Sequence, residues 1–461
     1  MTPEILAIIM FVTTLLFLLF GFPVAFTLAG SALIFAFIGD LLDIFNFRML
    51  FFFPQRIYGI MINEALVAVP LFIFMGVMLE KTNIAAKLLV SIGDLFGSVR
   101  GGLGIGVVLV GMLLAASTGI VGATVVTMGM LALPTMLKAG YDEKIATGTI
   151  CASGTLGQII PPSIVLILLA EMLQGANEEA GLMTGDLAPL PVTAIDLFAG
   201  ALFPGLLLVF LYLSYQIIIA FINPSSSPPL VSHQENNDED TNVFDLIKII
   251  SAPLILIIIV LGSILTGIAT PTESAAVGAV GATVIAIVSN QFTFQILKTV
   301  SQETTKISSM VFIILIGASM FSLVFRGFGG DIVVEEFLMN LPGGAISAML
   351  IVMAIIFFLG FFLDFIEIIF VVVPIVSPIL IAMGFNPLWL GVMIGINLQT
   401  SFLTPPFGFS LFYLRGVAPK EVKTKDIYLG VLPFIFIQLV GLSLIWIFPQ
   451  IVLWLPNLIF K

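Results

Sequence analysis

Long apolar runs alternate with short polar connectors along almost the whole chain. Runs at 4–21, 24–39, 64–80, 146–169, 197–222, 247–266, 271–290, 308–327, 388–413 and 427–448 predict about ten transmembrane helices. The length argues for helices, since about 20 apolar residues cross a bilayer and a β-barrel would show short alternating segments. Two further stretches, 102–138 and 343–383, are too long for one span and are interrupted near their middles. Ser117, Thr118 and Gly119 interrupt the first, Asp364 and Glu367 the second. This pattern predicts two re-entrant helical hairpins, whose broken backbone is tolerated at membrane depth only inside protein or against water. A pair of ordinary spans with a tight loop is the alternative. Segments 83–98 and 331–341 read as short interfacial helices, and 171–195 as an acidic outer loop. The polar stretch 223–245 divides the chain into a first half, 1–222, and a second, 246–461.

Composition narrows the class. Of 461 residues 60% are apolar and 9% charged, so few charges that a soluble globule could not cover its core. Disorder would need the opposite balance. The single cysteine, Cys151, and single histidine, His233, leave no material for a disulfide scaffold, a zinc or haem site, or a Ser-His-Asp triad. A net charge of −11 speaks against nucleic acid. The absence of a Walker A motif excludes direct drive by ATP. The chain is therefore expected not to be an enzyme and to need no organic cofactor. No basic region precedes the first apolar run, so residues 4–22 read as a retained span. With re-entrant hairpins, Lys81, Lys87, Arg100, Lys138, Lys144, Lys248, Lys298, Lys306, Arg415, Lys420, Lys423 and Lys425 share one side. Arg48, Arg56, Arg326 and Lys461 take the other. The richer side is cytoplasmic by the positive-inside rule, which places both termini outside.

A shift of 244 residues brings the halves into register. Pro134 falls on Pro378, Gly140 on Gly384, Ile150 on Ile394, Pro161 on Pro405 and Pro162 on Pro406. The first hairpin then faces inside and the second outside, so the halves are inverted repeats, an architecture of secondary transporters.

The matched prolines point to the chemistry. They lie inside spans, in SGTLGQIIPPS (153–163) and NLQTSFLTPPFG (397–408). A helix breaks before proline, freeing carbonyls and exposing a positive half-helix start. Carbonyls and hydroxyls suit Na⁺ as coupling ion; the helix start suits a carboxylate. A simple proline kink is the plainer alternative. Each hairpin tip is expected to meet the break of its own repeat. The candidate Na⁺ ligands are Ser117, Thr118, Gly122, Ser153, Gly154, Thr155, Gly157 and Pro161 in the first half. In the second they are Asp364, Asn397, Thr400, Thr404 and Gly408. Ser163, Thr124 and Ser401 are candidates for substrate contact. Asp364 can also cap the second hairpin arm, with Glu367 in its first turn. Thr270–Glu273 reads as a helix cap, and Arg415 as a side chain snorkelling to the surface.

Several segments carry a further signal. GFPVAF, VAVPLFIFMGVMLE, TGIATPTESAAVGA, GTLGQIIPPSI and TPPFGFSLF resemble the large membrane subunit of TRAP (tripartite ATP-independent periplasmic) transporters, the DctM family. The resemblance covers nearly the whole chain. It implies a Na⁺-coupled importer of organic anions in a bacterial inner membrane, with an elevator mechanism related to that of divalent-anion–sodium symporters. It implies two partners, a small four-helix DctQ-like membrane subunit on a separate chain and a periplasmic DctP-like binding protein, besides membrane lipid. It also implies sodium sites where hairpin tip meets broken helix: Ser117–Thr124 with Ser153–Pro161, and Asp364 with Asn397–Gly408. The rival readings are a stand-alone Na⁺/carboxylate symporter of the related fold and an ion channel with re-entrant loops.

Overall fold

The computed structural model describes residues 2–82, 96, 99–229 and 243–460, leaving aside the side chains of Thr118 and residues 243–250. The interfacial helix expected at 83–98 (Phe96 apart), His233 and most of the linker 223–245 lie outside the described residues. Among the described residues every regular element is helical, with no strand. Six helices are long and apolar enough to cross a membrane singly, or up to eight spans if each of two bent pairs counts as one.

One bundle is built from α1 (Pro3–Leu19), α2 (Val24–Leu41), α3 (Phe53–Met61), α4 (Glu64–Lys81), α10 (Val243–Leu265), α11 (Pro271–Val288) and α12 (Phe294–Gly327). Within it α4 lies along α11 and α2 along α12. The start of α11 is a capping box: Thr270 Oγ1 accepts from the Glu273 amide, and Glu273 Oε2 accepts from the Thr270 amide at 2.8 Å. The capping read from Thr270–Glu273 is therefore present, with Pro271 where its missing N–H costs nothing. Helix α12 has 34 residues, about 50 Å. Its polar first turns extend beyond the apolar span expected at 308–327.

The second bundle takes the rest of each half. From the first half come α5 (Gly102–Thr118), α6 (Val121–Lys138), α7 (Glu143–Thr155), α8 (Ile164–Thr184) and α9 (Ala194–Ile222). After α13 (Gly330–Met339), which matches the short helix expected at 331–341, the second half gives α14 (Gly344–Leu359), α15 (Phe365–Val371), α16 (Val373–Ala382), α17 (Pro387–Leu403), α18 (Phe409–Val417), α19 (Thr424–Ile447) and α20 (Gln450–Phe460). Here α7 packs on α19 and α8 on α16. A Cβ at Gly148 would fall on the Gly430 carbonyl, and one at Gly430 on the Lys144 carbonyl, so these two backbones run against each other. Such small-residue seams join helices where lipid removes the hydrophobic drive. The two bundles meet through α4 against α5 and α12 against α15.

Helix boundaries recur at the 244-residue spacing. Helices α6 and α15 begin at 121 and 365, α6 and α16 end at 138 and 382, and α7 and α17 begin at 143 and 387. Two expectations differ from the structure. Residues 171–184 are not loop but the continuation of α8, which stops only at Gly185, in the left-handed region at φ 81°; EMLQGANEEAGLMT contains no proline to stop a helix. A further helix, α20, follows the last predicted span. Pro449 separates it from α19 and ends the earlier pattern.

Candidate cation and substrate site

Both predicted breaks are present. In the first half α7 ends at Thr155, a short 3₁₀ turn covers Leu156–Gln158, and α8 starts at Ile164. Pro161 and Pro162 lie in the gap, fully enclosed. The tip of the first hairpin, between α5 and α6, lies over this gap. Gly119 closes α5 in the left-handed region at φ 62°, and a Cβ there would stand 3.4 Å from the Ile164 amide nitrogen. The hairpin arms lock onto the broken helix through three close approaches: Gly111 on Ser153, Val125 on Gly154, and the Ala115 carbonyl on Gly157.

The hydroxyls here are oriented. Ser117 Oγ donates to the Leu113 carbonyl at 2.5 Å, Ser153 Oγ to Ile150 at 3.2 Å and Thr155 Oγ1 to Ala152 at 2.8 Å. Thr124 Oγ1 donates to Ile120 at 3.2 Å. A hydroxyl that has given its proton away presents its lone pairs, the correct sense for holding a cation. Ser163 stands at the N-cap of α8, yet its Oγ donates to the Gln158 carbonyl at 2.9 Å and does not cap the helix. Ile120 at the N-cap of α6 supplies no side-chain cap either. At the starts of α6 and α8 the N-cap residue therefore supplies no side-chain cap, and helix starts favour negative charge. The Thr118 side chain is outside the described residues.

The second half repeats the plan with opposite charge. Helix α17 ends at Leu403 and α18 begins at Phe409, with Thr404 to Gly408 between them. The tip residues 360–364 close over this gap: Gly360 abuts Ser401, and the rings of Phe362 and Phe407 lie 5.1 Å apart. Asp364 caps α15, accepting from the Phe365 amide at 2.8 Å, and its own amide donates to Glu367 Oε2 at 3.0 Å. The capping role expected of Asp364 is thus real, and Glu367 completes the box. Asn397 sits within α17 and donates to the Met353 carbonyl on α14 at 2.8 Å. Thr400, Ser401 and Thr404 donate to Ile396, Leu398 and Thr400 at 2.8, 2.8 and 2.7 Å. The Gly408 amide donates to the Thr404 carbonyl at 3.0 Å and starts α18. Segments 117–124, 153–163, 360–367 and 397–413 contain no Lys or Arg, so neither gap holds a built-in counter-ion for Asp364.

The halves meet at a polar contact that pattern reading missed. Gln399 Nε2 donates to Thr155 Oγ1 at 3.3 Å, and these residues are 244 positions apart, so the contact joins two equivalent places in the repeat. The Tyr212 hydroxyl joins the group, accepting from Gln438 Nε2 at 2.8 Å and reaching Gln399 and Thr155. All four are buried. The side chain of Gln158, equally buried in the first gap, has no hydrogen-bond partner among the described residues. Glutamines in an apolar run read as tolerated polar positions; only the repeat register, which lays Thr155 on Gln399, could have flagged one of them. Arg415 donates to the Val422 carbonyl, 2.5 Å away, and reaches neither gap.

The arrangement matches known proteins. A structure of the YdaH transporter of Alcanivorax borkumensis superposes with a TM-score of 0.61 at 16% identity, over 87% of this chain and 88% of that one. The Neisseria gonorrhoeae efflux pump MtrF gives 0.57 at 14%, over 87% and 84%. These fix the fold as that of membrane transporters. In sequence the chain is 28% identical over 418 residues to the C4-dicarboxylate TRAP transporter large permease protein DctM of Vibrio cholerae, covering 86% of each. It is 29% identical over 464 residues to the ectoine/5-hydroxyectoine large permease protein UehC of Ruegeria pomeroyi, covering 99% of this chain and 100% of that one. It is 27% identical over 439 residues to the sialic acid large permease protein SiaM of V. cholerae, covering 95% of each. The model of the tripartite ATP-independent periplasmic transporter DctM component matches residues 11–451, and with it the chain, a multi-pass membrane transport protein and not an enzyme, belongs to the DctM family.

Proposed function

We propose that this chain is the large permease of a Na⁺-coupled secondary importer, which takes up an organic anion delivered by a periplasmic binding protein. One observation carries the reading. Each half has a broken helix roofed by its own hairpin tip, lined by oxygen atoms and free of Lys and Arg. One Na⁺ would sit in each: among Ser117, Ser153, Gly154, Thr155, Gly157 and Pro161 in the first half, and among Asp364, Asn397, Thr400, Thr404 and Gly408 in the second. The second tip carries Asp364 and Glu367; at the first, two helices start and neither N-cap residue supplies a side-chain cap. A carboxylate cargo belongs near Gly122, Thr124 and Ser163 of the first half, with Ser401 contributing from the second break.

The bundle of α1–α4 and α10–α12 would stay fixed in the membrane against a small DctQ-like subunit. The bundle bearing both breaks would move as the carrier. The halves 1–222 and 246–461, joined by 223–245, would be inverted, with both termini outside the bacterial inner membrane. The test is thermal unfolding of the purified permease complex in Na⁺ and in K⁺. Ligand binding to the folded state raises the midpoint by mass action. A rise with Na⁺ that saturates and is absent with K⁺ is expected; equal midpoints in the two salts overturn the cation sites.

A further inference from the structure

Tyr413 lies on α18, just past the second break, and reaches the tip of the first hairpin. A Cβ added at Gly122, in the first turn of α6, would stand 2.9 Å from Tyr413 Cζ and 3.1 Å from Cε2. The phenol ring therefore occupies the space that only a glycine leaves open on the first tip. The charge of the Asp364 carboxylate, on the second tip, also acts on this phenol. Tyr413 is 38% exposed, and among the described residues its hydroxyl has no hydrogen-bond partner. Its neighbours on α18 differ: Leu414 is buried and Phe412 is more exposed.

We propose that Tyr413 is a specificity-determining residue for the cargo: its phenol O–H, on a ring held against Gly122 of the first tip, donates to a carboxylate oxygen of the carried organic acid. The chemistry follows from what the crevice lacks. No Lys or Arg lies in the segments that form it, so an anion there must be held by N–H and O–H donors and by bound cations. The other hydroxyls at the tips and breaks already donate to backbone carbonyls. Tyr413 retains a free proton to give. This inference rests on the proposed carrier function and assigns one contact within it.

The test exploits the single cysteine, Cys151, which is buried. In a Cys151→Ala background, Tyr413→Cys is assembled in the full complex and treated in membrane vesicles with a small anionic methanethiosulfonate. The thiol is expected to react at least ten times faster in Na⁺ than in K⁺ buffer, because bound Na⁺ offsets Asp364. Phe412→Cys, the neighbouring control on α18, should resist the reagent in both. A Tyr413→Cys rate that is the same in Na⁺ and K⁺, or as slow as that of Phe412→Cys, overturns the proposal. Tyr413→Phe, which keeps the ring over Gly122, supplies a second readout with radiolabelled succinate. The KM is expected to rise about tenfold, the loss of one hydrogen bond to a charged group, at unchanged half-saturating Na⁺. Na⁺-driven succinate uptake with an unchanged KM sinks the Tyr413 assignment alone; uptake indifferent to Na⁺ in the unmodified chain sinks the carrier reading itself.

Discussion

Asp364→Asn separates a cap from a cation ligand. In the structure Asp364 Oδ1 accepts from the Phe365 amide at 2.8 Å, and the Asp364 amide donates to Glu367 Oε2 at 3.0 Å. Asparagine keeps an Oδ1 acceptor and the backbone amide, and it caps helices about as well as aspartate, so folding stability should change by only a few tenths of a kcal/mol. The charge is what disappears. A unit charge about 4 Å from Na⁺ contributes about 4 kcal/mol at an effective dielectric constant of about 20. Desolvation of both ions offsets much of this. A surviving ~1.4 kcal/mol already multiplies the half-saturating Na⁺ concentration tenfold. The assay is a Na⁺ titration of thermal midpoint and of uptake in the same preparation. The expected result is a half-saturating concentration raised at least tenfold, with the Na⁺-free midpoint within about 2 °C of the unmodified chain, as a few tenths of a kcal/mol allows. An unchanged half-saturating concentration would leave Asp364 with a structural role only.

Other perturbations test the surroundings. Arg326 at the end of α12 grips Glu179 on α8 through two nitrogen–oxygen contacts of 2.8 Å and also donates to the Pro374 carbonyl at 3.2 Å, so it ties the two bundles together. The pair is about 30% exposed, so a double-mutant cycle of Arg326→Gln and Glu179→Gln should give a coupling of about 1 kcal/mol or less; if the bundles slide past each other, Arg326→Gln will also change the uptake rate. In the buried group at the repeat junction, Thr155→Val leaves the Gln399 amide short of a partner and should cost about 1–3 kcal/mol. Adding Gln399→Leu should recover part of that loss, as read by denaturation midpoints; a double mutant worse than Thr155→Val would refute the pairing. Gly122→Ala must displace the Tyr413 ring and should slow uptake with little effect on the Na⁺ dependence.

The parts of this fold that were legible beforehand are those where one residue forbids an alternative. Pro161–Pro162 and Pro405–Pro406 cannot continue a helix, and both breaks are where they stand. Asp364 three residues before Glu367 is a local capping signal, and the cap is there. The hairpin stretches 102–138 and 343–383 followed from run length and from the repeat, whereas the bend between Phe365–Val371 and Val373–Ala382 did not. What stayed hidden depends on distant partners. Gln399 meets Thr155 only because the two halves fold onto each other. Tyr413, at the end of the span expected at 388–413, carried no signal of its own, and its place against the first tip emerges only from Gly122. The end of α8 reads as loop because acidic residues resemble one, although Glu178 and Glu179 are ordinary helix formers and Glu179 has Arg326 for a partner.

The most direct measurement is uptake into vesicles containing this chain with its small membrane subunit, given the periplasmic binding protein loaded with cargo. With an inward Na⁺ gradient and no ATP, labelled cargo should accumulate above its external concentration. Accumulation should cease when K⁺ replaces Na⁺ or when the binding protein is left out. Two Na⁺ per singly charged cargo would make uptake electrogenic, and each net charge moved across 100 mV adds about 2.3 kcal/mol of drive, so an inside-negative potential should accelerate it. Accumulation that persists in K⁺, or that runs only with ATP, would contradict the account.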